Sequence, residues 1–165
     1  MGDFVKIHLG VINQPYSKQS SAKVSQAKKG KLNKPVKVAT GEQTTGEVAG
    51  YLENKYSVMQ GFVDLHMPEI KQMMADSIQG SIENLLAGGK PQSNPFGSAT
   101  SQIEKLFKFQ YLDKDEITQT GAKGVPTQAA LNGVNHRLKS GKGAARPDFI
   151  DTGLYQASFK VWTDE

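Results

Sequence analysis

No cysteine occurs among the 165 residues, so disulfides and thiolate metal sites are excluded and stability must come from packing or from neighbouring chains. That absence fits a reducing cytoplasm. Histidine is scarce: His8, His66 and His136 are the only three, and no two stand on one helical face at a metal-binding spacing, which argues against zinc. No segment approaches the roughly 18 uninterrupted apolar residues of a membrane span, and the opening MGDFVKIHLGVIN lacks a basic region followed by a long apolar one. The chain therefore reads as soluble and unprocessed, with no membrane partner. Lys6 stands where the myristoylation pattern that begins at Gly2 requires Ser or Thr, which sets lipidation aside.

Acids are missing from two long stretches. Between Ser17 and Gly41 stand Lys18, Lys23, Lys28, Lys29, Lys31, Lys34 and Lys37 without one carboxylate. Ile117 to Pro147 carries Lys123, Arg137, Lys139, Lys142 and Arg146, again without an acid. The net charge is only +4, so positive charge is concentrated in these two segments, which suit polyanions or acidic neighbours. Apolar residues are 37% of the chain, and 17 glycines bring it close to the globular range of about 45–50% in which glycine is counted. The length suits one domain with appendages.

Phe4 to Ile12 alternates, with Val5, Ile7, Leu9 and Val11 on one side, and predicts a half-buried strand ended by Pro15. The segment to about Gln43 has too little apolar surface to offset its ordering entropy alone and reads as an extended basic arm. Thr44 with Glu47 forms a capping box, and Val48, Leu52, Lys55 or Tyr56, Met59, Phe62 and Val63 recur with helical period. Pro68 suits the first turn of a second helix with the stripe Ile70, Met73, Met74, Ser77 or Ile78, Ile82, Leu85 and Leu86, ended by Gly88 and Gly89. The two helices meet near His66 to Pro68 as a kinked rod or a hairpin. Ser101 with Glu104 predicts a third helix through Ile103, Leu106 and Phe107, giving way to a strand at FKFQYL. Pro126 is placed to start a fourth, with Ala129, Ala130, Val134 and Leu138 on one side. Thr152-Gly153 turns the chain into a final strand, with Ala157, Phe159 and Val161 facing one way and Ser158, Lys160 and Trp162 the other. The fold class is α+β: helices packed on a small, mostly antiparallel sheet, with an extended basic N-terminal arm. The division is 1–43 for the N-terminal strand and arm and 44–165 for the core domain.

Catalytic motifs are not evident. In GGKPQSNPFG, Pro91 follows Lys90 and Asn84 occupies a required glycine position, so no phosphate loop is formed. Ser77, Ser101 and Ser158 lack the Gly-x-Ser-x-Gly setting of a nucleophile elbow. Asp113, Asp115 and Glu116 resemble part of a calcium loop without its glycine or later glutamate, and a solvated turn explains them. His66 and Glu69 read as a surface pair at a helix start, against the alternative of metal ligation. Met59, Met67, Met73 and Met74 read as core gap-fillers before they read as an adaptable groove. Trp162 and Phe159 read as terminal-strand core or as interface anchors. The arm's lysines, without interleaved aromatics, suit a solvated linker, an arm ordering on an adjacent subunit, or non-specific contact with packaged DNA.

TTGEVAGYLENKYSVM, GVPTQAALNGVNHRLK and RPDFIDTGLYQASFKVW together resemble virion proteins of the neck and tail region of tailed bacteriophages. DTGLYQASF, through Thr152, Gly153, Leu154 and Ser158, is similar to the Thr-Gly-x-Leu-x-x-Ser pattern of tail-completion and head-tail joining proteins, with Leu154 one position early. The resemblance covers roughly 44–162. It implies a small α+β subunit assembled into a homo-oligomeric ring around the DNA channel of the virion, made in the host cytoplasm, without cofactor or turnover. It further implies neighbouring neck and tail proteins as partners, and the strand-like segments read at both ends offer edges able to pair between subunits. Thr152, Gly153, Leu154, Phe159 and Trp162 are then the candidate assembly element. The arm lysines become inter-subunit or DNA contacts, and Arg137, Lys139, Lys142 and Arg146 face the lumen or an acidic neighbour. The alternatives are a small nucleic-acid-binding protein that uses the arm non-specifically, or an enzyme whose pocket these residues do not announce.

Overall fold

The two alternating apolar segments at opposite ends of the chain find each other. In the structure, a computed structural model that describes residues 5–16, 43–134, 141–150 and 152–164, strand β1 (Ile7–Val11) pairs antiparallel with β2 (Phe159–Thr163). Leu9 faces Val161 and Val11 faces Phe159 across the ribbon. The α+β class is as expected, with helix predominating over this two-stranded sheet. Pairing with β2 joins β1 to the sheet that packs on the helices. The strands at the two ends pair with each other, leaving each with one outer edge.

Helix α1 (Thr45–Tyr56) begins where expected, with Thr44 Oγ1 accepting from Glu47 N and the Glu47 carboxylate accepting from Thr44 N at 3.0 Å. The next residue fastens the helix to the sheet: fully buried Thr45 donates its hydroxyl to Ile12 O at 2.6 Å and accepts from Gln14 N at 2.8 Å. Tyr16 N donates to Gln43 O at 2.9 Å beside a Pro15–Thr44 bridge. The lysine-rich sequence therefore connects two positions that are themselves bonded together. Lys18, Lys23, Lys28, Lys29, Lys31, Lys34 and Lys37 lie outside the described residues, as do His136, Arg137, Leu138 and Lys139.

The junction expected at His66 to Pro68 falls instead at Ser57, which adopts a left-handed conformation at φ 51° between α1 and α2 (Val58–Leu86). The cause is Glu53, one turn before the break. Its carboxylate accepts from Met59 N at 2.7 Å and Gln60 N at 3.2 Å, satisfying two of the free donors that open α2. Pro68 lies inside α2, and the 29-residue helix, about 43 Å long at 1.5 Å per residue, continues through it without that one backbone bond. Gly88 at φ 83° and Gly89 end it, as the sequence predicts.

Helix α3 (Gly97–Lys105) starts four residues before Ser101, whose hydroxyl bonds back to Gly97 O at 2.9 Å, so the expected Ser101–Glu104 capping box does not form. The strand expected at FKFQYL is a π-helix, Leu106–Leu112. The wider helical turn sends Phe107, Tyr111 and Leu112 inward and Phe109 outward. A 3-10 turn (Glu116–Thr120) follows. Then comes α4 (Gln128–Leu131), capped by Thr127 Oγ1 on Ala130 N at 3.2 Å and ending before Val134, shorter than Pro126 and its periodicity suggest. Helix α5 (Leu154–Ser158) includes Ala157, which is exposed, and Ser158, which is buried, so the final strand begins two residues later than that alternation implies.

The core is aromatic. Phe62 meets Phe107 edge-on at 5.1 Å and Tyr111 at 5.3 Å, and Phe107 stacks on Phe159 at 3.7 Å, joining α2, the π-helix and β2. Met59, Met73 and Met74 fill gaps beside this cluster, while Met67 lies on the surface.

Candidate assembly surface

Backbone register decides which sheet edge is available. Ile12 N donates to Ser158 O at 2.8 Å and Asp164 N to Lys6 O at 3.1 Å, so even-numbered residues of β1 bond to β2. The backbone groups of Ile7, Leu9 and Val11 therefore point away from the partner strand. On the other side of the ribbon, Glu104 of α3 accepts from Val161 N at 3.2 Å and pairs with Lys160 at 3.1 Å and Lys108 at 3.6 Å. The edge of β2 is thus covered by a carboxylate, whereas among the described residues nothing pairs with the outer edge of β1, the arrangement on which strand addition operates.

The five residues of the candidate assembly element separate in space. Phe159 is fully buried on Phe107 and serves the interior. Trp162 is 49% exposed, lies over Gly10 where an added Cβ would meet its ring at 3.0 Å, and stacks with His8 at a centroid distance of 5.5 Å. His8 is fixed in turn by Asp164 at 2.5 Å. Gly153, left-handed at φ 75°, is the N-terminal cap of α5, with exposed Thr152 before it and half-buried Leu154 after it. Three residues of the motif therefore build a helix start, and Trp162 presents an aromatic face to solvent.

Of the basic C-terminal segment, Lys142 is exposed. Arg146 is tied into the fold, donating through one terminal nitrogen to Ile150 O at 2.6 Å and through the other to Val134 O at 3.1 Å. It clamps the ends of the loop before α5.

The titratable groups that the sequence places at the surface are in part interior. His66 is only 4% exposed, with Nδ1 on Glu69 and Nε2 on Glu116 at 3.0 Å, which corrects its reading as a surface pair. Asp113 is exposed in a turn, as expected, while Asp115 of the same turn, half-buried and left-handed at φ 58°, accepts from Asp148 N at 3.1 Å. Asp148 is fully buried and accepts from Thr127 N at 2.9 Å and Thr127 Oγ1 at 2.6 Å. Burial pushes the Asp115 carboxyl above its usual range; the Asp148 N–H opposes this and the Asp148 charge adds to it. The hydroxyls of Tyr111 and Tyr155 are buried without a hydrogen-bond partner among the described residues. Burial, then the charge of Glu53, raises both phenols. Among the described residues no three His, Asp or Glu side chains gather as a metal site, and no helix is long and apolar enough to cross a membrane. A cleft of about 580 Å³ lies at the Ser57 corner between Lys55, Tyr56, Asp64, Thr120 and Lys123.

The surface that sequence reasoning missed is the second half of α2. Its predicted stripe is buried at Ile70 and Ser77 and then runs out into solvent: Ile78, Ile82, Leu85 and Leu86 are 40%, 50%, 47% and 83% exposed. Helical periodicity reported the apolar face correctly, but it carries no information on whether the covering surface belongs to the same chain.

Comparison of the chain with protein-family models, with characterised proteins and with solved structures found no match.

Proposed function

We propose that this chain is a non-enzymatic structural protein of a tailed-bacteriophage virion, forming a ring in the neck or tail-completion region that joins head to tail. The observation that carries the assembly part of this reading is the run of four large aliphatic side chains, Ile78, Ile82, Leu85 and Leu86, left in water at the end of a long helix. A contiguous apolar patch of this kind marks an interaction site. The open edge of β1 adds a second surface suited to copies of the chain or to adjacent neck and tail proteins. The placement within a virion rests on the sequence resemblance around Thr152, Gly153, Leu154 and Ser158. In this reading the lysine-rich sequence and Lys142 meet neighbouring subunits or the backbone of packaged DNA, and no cofactor is required.

Negative-stain electron microscopy of the purified chain tests the reading together with a salt titration of duplex DNA binding. Rings that form without DNA support it. A monomer that binds duplex tightly, loses affinity steeply with salt and fails to bind after deletion of residues 17–41 would instead identify a non-specific nucleic-acid-binding protein.

A further inference from the structure

A second uncovered apolar surface lies beside the π-helix, and its charge is opposite to that of the exposed end of α2. Met73, Leu106 and Phe109 floor a groove of about 410 Å³ rimmed by Lys105, Lys114 and two glutamines. The groove follows from the π-helical geometry: with Phe107, Tyr111 and Leu112 turned into the core, Phe109 is turned out and is 60% exposed. Lys108 and Lys160 both pair with Glu104, whereas neither Lys105 nor Lys114 has an ion pair among the described residues.

The end of α2 complements this groove. Its apolar stripe projects Ile78, Ile82 and Leu85 on one side, and between Lys71 and Lys90 the helix carries only the acids Asp76 and Glu83. Gln72 and Gln79 hold those carboxylates from one turn earlier, each at 2.7 Å, and no base pairs with them among the described residues. The partial negative charge of the helix C-terminus adds to the same end.

We infer that the C-terminal half of α2 in one copy of this chain docks into the Met73, Leu106 and Phe109 groove of the next copy. Docking within one molecule is impossible, because Met73 and Ile82 lie on the same unbroken helix and the stripe cannot fold back onto a groove walled by its own earlier turns. A second copy is the occupant because a single chain carries both halves of the match, apolar against apolar and Glu83 against Lys105 and Lys114. The two halves are different surfaces, so the contact is head-to-tail and its repetition closes a ring or extends a filament. The inference rests on the assembly reading above and specifies the contact by which it operates.

The test uses two full-length variants altered only at exposed positions, one with Ile82→Glu and Leu85→Glu and one with Phe109→Glu. Circular dichroism and melting should match the parent chain. In sedimentation velocity the parent assembles, whereas each variant alone remains monomeric. Mixed in equal amounts, the intact stripe of the Phe109→Glu chain occupies the intact groove of the other, and the mixture stops at a heterodimer. Assembly of Phe109→Glu like the parent, with loss only in the stripe variant, would overturn the inference by assigning the stripe to another surface, including a second α2. Parent-like assembly of both variants would overturn it and leave the ring reading standing on a different contact, the β1 edge first. A parent chain that is monomeric at every concentration would overturn both.

Discussion

Phe159 and Trp162 sit three residues apart in one strand, and truncating each to alanine separates the interior from the surface. Phe159 is fully buried, stacked on Phe107 at 3.7 Å and edge-on to Phe62 at 6.4 Å. Removing a buried Phe side chain costs about 3–5 kcal/mol, and the paired rings place Phe159→Ala in the upper part of that range, at about 4 kcal/mol. For a chain of this length each kcal/mol lowers Tm by about 2–4 °C, so Phe159→Ala should melt about 8–16 °C below the parent. Trp162 keeps half its surface in solvent and loses mainly its stacking on His8, worth about 1 kcal/mol, or about 2–4 °C. Differential scanning calorimetry on both variants, at a concentration where the parent is monomeric, reads the difference directly. Equal small shifts, or a larger loss for Trp162→Ala, would refute the assignment of Phe159 to the core.

Three further outcomes follow from the geometry. Because the folded-state pKa of Asp115 is raised, its ionisation costs the fold stability as pH rises through the ordinary carboxylate range; that cost is present at neutral pH and vanishes below the range. Asp115→Asn, which tolerates the left-handed backbone and keeps an acceptor for Asp148 N, should therefore raise Tm at neutral pH, with the gain shrinking to nothing in acid; a lower Tm at neutral pH would contradict this. Glu53→Ala removes the acceptor of Met59 N and Gln60 N and should cost about 1–2 kcal/mol in urea unfolding, whereas an unchanged midpoint would show that water replaces the cap. Pro68→Ala restores a helix donor inside α2 and should raise Tm by a few degrees, against a fall if the proline ring is needed where it lies.

Local signals in the sequence were legible where a short-range rule decides the structure. Thr44 and Glu47 cap α1, Gly88 and Gly89 end α2, and the alternations at the two ends form strands. The errors arose where a distant group or an unusual helix outweighed the local rule. Pro68 has a helix-start signature, but Glu53 reaches across the Ser57 corner and moves the start of α2 ten residues earlier. The alternation of FKFQYL is shared by a strand and a π-helix, and only the aromatic core around Phe62 selects the latter. Glu104 has the spacing of a capping residue, yet its carboxylate covers the edge of β2, a pairing 57 residues distant in sequence. Of the assembly residues, the Thr152-Gly153 turn and the terminal strand were readable, while the inward side of Phe159 and the solvent-facing run from Ile78 to Leu86 depend on what packs against them.

Hydrogen–deuterium exchange over the whole chain, compared between dilute and concentrated samples, bears most directly on the claim that this molecule's uncovered apolar surface is made for other copies of itself. Slowed exchange at the end of α2 around Ile82 to Leu86, and around Phe109, with an unchanged aromatic core, is the predicted result. Identical exchange at both concentrations, with α2 frayed beyond Ser77 throughout, would contradict it.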